Sequence, residues 1–127
     1  MQEKYLYEYS VIRVLPFVER EEFINVGIIL FCKKENFIRV HFTINEEKLR
    51  SLSKELDIDQ IKLNLESFDK IAMGIKDCGP IALLDVPERF RWLTAVRSSV
   101  IQTSRPHPGL CNDLEQTAKR LFEELVA

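Results

Sequence analysis

Residues 23–32, FINVGIILFC, constrain the fold of this chain more than any other stretch. Side chains on a strand alternate between two faces, so a strand with one face in water shows alternating polarity. Here both faces are apolar, and both must be covered. Such a strand belongs in the middle of a sheet. The flanking segments supply its neighbours. Residues 5–15 are rich in aromatic and β-branched side chains and end at Pro16, which cannot donate to a ladder. Residues 37–43 alternate cleanly, with Ile38, Val40 and Phe42 on one face and Arg39, His41 and Thr43 on the other. That is the pattern of a half-exposed strand. The charged turn Glu19-Arg20-Glu21-Glu22 joins the first pair, and Lys34-Glu35-Asn36 joins the second. The first third of the chain is predicted to be a three-stranded β-meander.

Helical spacing follows. Asn45 is placed to cap a short helix carrying Leu49, Leu52 and Leu56. A longer helix is expected from about Asp59, with Ile61, Leu65, Phe68, Ala72 and Ile75 along one stripe, stopped by Gly79-Pro80. Asn112, with Glu115 three residues on, marks the start of a last helix that buries Leu114, Ala118, Leu121, Phe122 and Leu125. The expectation is one α+β domain over residues 1–127, its mainly antiparallel sheet packed by two or three helices.

Composition limits the function classes. A hydrophobic fraction of 46% and a charged fraction of 30% are those of an ordinary globular protein. The longest apolar run, residues 26–32, is too short to span a bilayer, and Met1-Gln2-Glu3-Lys4 does not open a secretory signal. A cytoplasmic protein with no membrane association is expected. Cys32, Cys78 and Cys111 are widely spaced without a CxxC pair and read as free thiols. His41 and His107 stand at no zinc-site spacing to them or to each other. Pro108 and Gly109 also separate His107 from Cys111, so neither a metal nor a cofactor is expected.

One segment departs from the rest. Residues 89–110, RFRWLTAVRSSVIQTSRPHPGL, hold four arginines and no acid, a charge of +4, leaving −6 on the remainder of a chain whose total is −2. Arg89, Arg91 and Arg97 offer forked donors suited to phosphate or carboxylate. Ser98, Ser99, Thr103 and Ser104 add hydroxyls, Gln102 an amide, His107 an imidazole and Trp92 a stacking surface. An acid-free mixture of this kind suits an anion or partner surface, because nearby carboxylates would neutralise the guanidiniums. The plainer alternative is structural. On that view Phe90, Trp92, Leu93, Val100 and Ile101 are core residues of two short strands, and the arginines pair with Glu19, Glu21 or Glu22.

Two further clusters stand out. Glu19, Glu21 and Glu22 crowd a turn, where they either hold a divalent metal for acid/base work or keep the hairpin tip solvated. Asn25 and Gly27 interrupt the apolar central strand. The amide of Asn25 must find partners, through Arg13 or Glu22 or at the wall of a pocket. Gly27 marks a bulge or a close backbone approach.

YSVIRVLPFVEREEFINVGIILFC and ERFRWLTAVRSSVIQTSRPHPGL together resemble the bacterial family of unknown function DUF3037, over nearly the whole chain. The resemblance rests on Glu22, Phe23, Asn25, Val26 and Gly27, and on the Arg-Phe-x-Trp-Leu-Thr-Ala segment of residues 89–95. It continues through Arg97, Ser98, Ile101, Gln102, Ser104, His107 and Gly109. The family implies no activity. Its members are often encoded beside kinase-like proteins resembling the HipA toxin, which implies a small partner or accessory subunit. The leading expectation is therefore a non-enzymatic binding or accessory module. Its face is built from Arg89, Trp92, Arg97, Ser98, Gln102, Ser104 and His107, supported by Glu19, Glu22 and Asn25, with Trp92 as a buried anchor. On this reading Arg89→Ala with Arg97→Ala abolishes partner capture and leaves the melting temperature nearly unchanged. The alternative is a metal-dependent enzyme acting on a nucleotide or nucleic-acid phosphate, with Glu19 or Glu22 holding the metal and the arginines clamping phosphate.

Overall fold

The structure, a computed structural model, describes residues 4–17, 20–95 and 99–126. Its centre is an antiparallel sheet in which β1 (Tyr5–Val14), β2 (Ile24–Cys32) and β3 (Phe37–Phe42) form the expected meander. The outer side of β1 carries two short strands in succession. β4 (Ile101–Thr103) pairs with Ile12–Val14, and β5 (His107–Cys111) pairs with Tyr5–Tyr9. They are two pieces of one interrupted edge strand, not a β-pair of their own.

The central strand is covered on both sides, as its sequence demands. Val26, Ile29 and Phe31 face one core with Ile12, Val14, Ile38 and Val40, closed by α1 (Glu46–Leu52), α2 (Ile58–Ala72) and α3 (Val86–Leu93). Ile28, Leu30 and Cys32 face a second core with Tyr7, closed by α4 (Leu114–Leu125) through Leu114, Ala118 and Leu121. The fold is α+β.

Register slips once between β1 and β2. Ile12 faces Gly27 but Arg13 faces Asn25, so Val26 is the extra residue of a bulge beside Gly27. Gly27 also meets the close-approach requirement. A β-carbon there would lie 2.5 Å from the His41 carbonyl oxygen and 2.8 Å from the Phe42 β-carbon.

The helices begin at side-chain caps. Asn45 accepts from the Lys48 amide, Asp57 from Gln60, Asp85 from Glu88 and Asp113 from Gln116. The cap of α4 is thus Asp113, one residue beyond the expected Asn112. Leu56 lies outside α1. The stripe on α2 ends at Ala72 rather than running to Ile75, which is 48% exposed. Gly74 at φ +69° terminates it. The Ile75 amide returns to the Lys70 carbonyl and the Gly74 amide to Ile71, which is the Schellman pairing. The segment expected as a first late strand is instead α3. Asp85 caps it, and Val86, Phe90 and Leu93 recur at helical spacing on its buried side. The Phe90 ring stacks on Phe31 at 4.8 Å, which fastens α3 to the sheet. No described helix is long and apolar enough to cross a membrane.

Candidate functional site

The acid-free segment supplies most of α3 and all of β4, with β5 up to Leu110, and its described residues have different fates. Arg89 is turned inward. Its Nε donates to the Ala72 carbonyl at 3.1 Å and one Nη to the Leu84 carbonyl at 2.8 Å. A cation is thereby placed on the carbonyl end of α2. Gly74 makes room for it, since a β-carbon there would stand 2.9 Å from the guanidinium.

Trp92 is not buried. Phe90 and Leu93 take the inward side of α3, which turns the indole aside and leaves it 40% exposed. It lines a cleft of about 330 Å³ between α2, the end of α3 and β4. Asn64, Ser67, Phe68 and Ile71 form the α2 wall, and residues 99–103 the opposite one. The α2 wall escaped sequence reasoning. Its only signal was Asn64 and Ser67 three residues apart on a helix, hence neighbours on its surface.

Ser104 serves the ladder. Its hydroxyl accepts from the Val11 amide at 2.8 Å and donates to the Arg105 carbonyl, while its own amide donates to the Val11 carbonyl. The side chain thus replaces a backbone acceptor where the edge strand breaks between β4 and β5. His107 lies opposite Tyr9, with ring centroids 5.4 Å apart, and is exposed. Arg97, Ser98 and Glu19 lie outside the described residues.

Gln102 meets the hairpin. It pairs with Arg13 across β1 and β4, and Arg13 pairs in turn with Asn25 on β2. A row of amide, guanidinium and amide therefore crosses three strands. Arg13 and Gln102 line a pocket of about 260 Å³ with Leu15, Glu21, Phe23 and Thr103. The Arg13 guanidinium stands 4.2 Å from the Phe23 ring centroid. Asn25 donates to the Leu125 carbonyl at 3.1 Å, which ties the bulge to the end of α4. Its Oδ1 is buried without an acceptor's partner, as are Arg13 Nε and Thr103 Oγ1 without theirs.

The acids are arranged differently from the structural alternative. Glu22 pairs with Arg20 at 3.7 Å, and none of Arg89, Arg91 or Arg105 has an acidic partner among the described residues. No group of three metal-ligating side chains occurs among those residues. Charge gathers instead on β3. Arg39 pairs with Glu115 of α4 and reaches Met73 just past the end of α2, bridging both layers. Nearby, burial raises the Asp69 carboxyl above its ordinary value, against the pull of His41 and Arg39.

No curated protein and no solved structure matches the chain. A family profile described as "Protein of unknown function (DUF3037)" matches residues 9–126. That span takes in every strand and helix from the middle of β1 onward, including both segments on which the sequence resemblance rests, and the chain therefore belongs to DUF3037.

Proposed function

We propose that this chain works as one domain in the cytoplasm, as a non-enzymatic binding or accessory module that contacts a protein partner or an anionic ligand through the acid-free segment. One observation carries the reading. Trp92 is half-exposed on a cleft walled by hydroxyls, amides and apolar side chains. An aromatic anchor beside polar groups is what a contact surface needs. Support comes from Arg91 and Arg105, which have no acidic partner among the described residues. They are free to steer and pair with a negatively charged surface. Gln102 and His107 extend the surface, whereas Arg89 and Ser104 hold its frame.

A kinase-like protein of the kind the family resemblance implies is the first partner to test. The test is co-expression of the tagged chain with that neighbour, wild type beside Trp92→Ala and beside Arg91→Ala with Arg105→Ala. A complex that both variants lose, with melting temperatures held, supports the reading. A complex formed equally well by both variants, or a wild-type chain that binds neither the neighbour nor a panel of phosphate ligands, refutes it.

A further inference from the structure

Arg13 presents a different feature, at the junction of the hairpin and β4. Arginine at the centre of a sheet carries a full charge and several donors, and each donor hidden from water needs an acceptor. None of the Arg13 guanidinium N–H groups is accepted by a described residue, and its Nε is removed from solvent as well. Such groups in a folded protein call for a missing partner. Meanwhile the guanidinium is held rather than loose. Phe23 stacks beneath it, and Asn25 and Gln102 flank it in the ladder.

The pocket gives that partner an entrance. It is about 260 Å³ in size and lined by Arg13, Gln102, Thr103 and Phe23, with Glu21 at its side. Glu21 does not reach ion-pair distance of Arg13. A fixed planar fork with unused donors and an amide beside it selects a small oxyanion, either carboxylate or phosphate. We infer that the Arg13 pocket is an oxyanion-binding site, with the guanidinium as the charged fork and Gln102, whose amide also donates to the Ser99 carbonyl at 2.9 Å, as the neutral contact. The site adjoins the Trp92 cleft, with which it shares Gln102 and Thr103 as lining residues, but its charged group is a different one. Arg13 lies outside residues 89–110, and strand alternation turns it away from the core that Ile12, Val14 and Ile101 face.

The experiment follows the arginine side-chain Nε–H signals of the full chain by NMR during separate titrations with inorganic phosphate and acetate. The Arg13 signal is identified by its loss in Arg13→Lys. A saturable shift is expected with at least one ion. Phosphate alone would mark the ligand as a phosphate group, acetate alone as a carboxylate, and both would mark the shared chemistry. Followed through the Gln102 side-chain amide, Arg13→Lys is expected to weaken binding about tenfold by removing the fork. Glu21→Gln leaves Arg13 and its stacking in place and should tighten binding about threefold by removing a like charge. An Arg13 signal that neither ion moves, or that sodium chloride at equal ionic strength moves as far, overturns the inference. So does an affinity that Glu21→Gln leaves unchanged.

Discussion

Tyr7 and Gly109 face each other across β1 and β5, and the phenol ring occupies the space where a β-carbon at position 109 would stand. That position is 2.4 Å from both the ring Cζ and the hydroxyl oxygen. Tyr7 is 7% exposed and packs into the core under α4, so its ring has little freedom to withdraw. Gly109→Ala should therefore cost about 1–3 kcal/mol, the range for overpacking a filled interior. Urea denaturation measures it. In a Tyr7→Leu background the same substitution should cost much less. A cycle with no such coupling would mean that β5 simply moves away.

Arg89 separates frame from surface. Its two bonds to the carbonyls of Ala72 and Leu84 hold the end of α2 against the segment before α3. Charge-assisted bonds of this kind suggest that Arg89→Ala costs about 2 kcal/mol, a loss that should appear as a lower melting temperature. Arg91→Ala and Arg105→Ala, at exposed positions, should leave it unchanged. The near-constant melting temperature expected from sequence for the Arg89 and Arg97 double variant should therefore fail on Arg89 alone.

Asp69 makes stability depend on pH. Burial is the largest influence on its carboxyl and raises it above the ordinary 3.8, against the attraction of His41 and Arg39. A raised folded-state value favours the protonated form. Its stabilising contribution is fully present below the ordinary value and is lost as pH rises through the raised one. Asp69→Asn should remove that loss. Unfolding free energies of wild type and variant, measured from pH 3.5 to 7, should diverge in the variant's favour as pH rises. Parallel curves would show that His41 and Arg39 offset the burial.

What was legible in the sequence followed from periodicity, and what was hidden followed from tertiary register. Residues 23–32 announced a doubly covered strand because period two leaves no other place for two apolar faces. α3 was obscured because Phe90 and Trp92 favour strands, and a helix of 8 residues repeats its buried stripe only through Val86, Phe90 and Leu93. Two stop signals followed α2, at Gly74 and at Gly79-Pro80, and the nearer one acts because its left-handed backbone closes the Schellman pairing. The candidate surface was visible as a run of arginines without acids. Its division into a frame arginine at Arg89 and exposed ones at Arg91 and Arg105 was not, because that depends on where α2 ends. The meeting of Gln102 with Arg13 depends on how β4 registers on β1, which no local pattern encodes.

Ser104 carries that register. Between β4 and β5 the edge strand leaves β1, and the Val11 amide would face an empty position in the ladder. The Ser104 hydroxyl fills it at 2.8 Å, while the Ser104 amide returns to the Val11 carbonyl. Ser104 is 8% exposed and Val11 6%, so water is a poor substitute. Ser104→Ala leaves a buried amide without an acceptor and should cost about 1–3 kcal/mol. Hydrogen exchange gives the sharper reading. The Val11 amide should lose protection by more than the global destabilisation accounts for, while Ile28 and Leu30 on β2 follow the global change alone. Equal loss at all three amides would mean that β1 and its edge open as one unit, and that the hydroxyl adds nothing local.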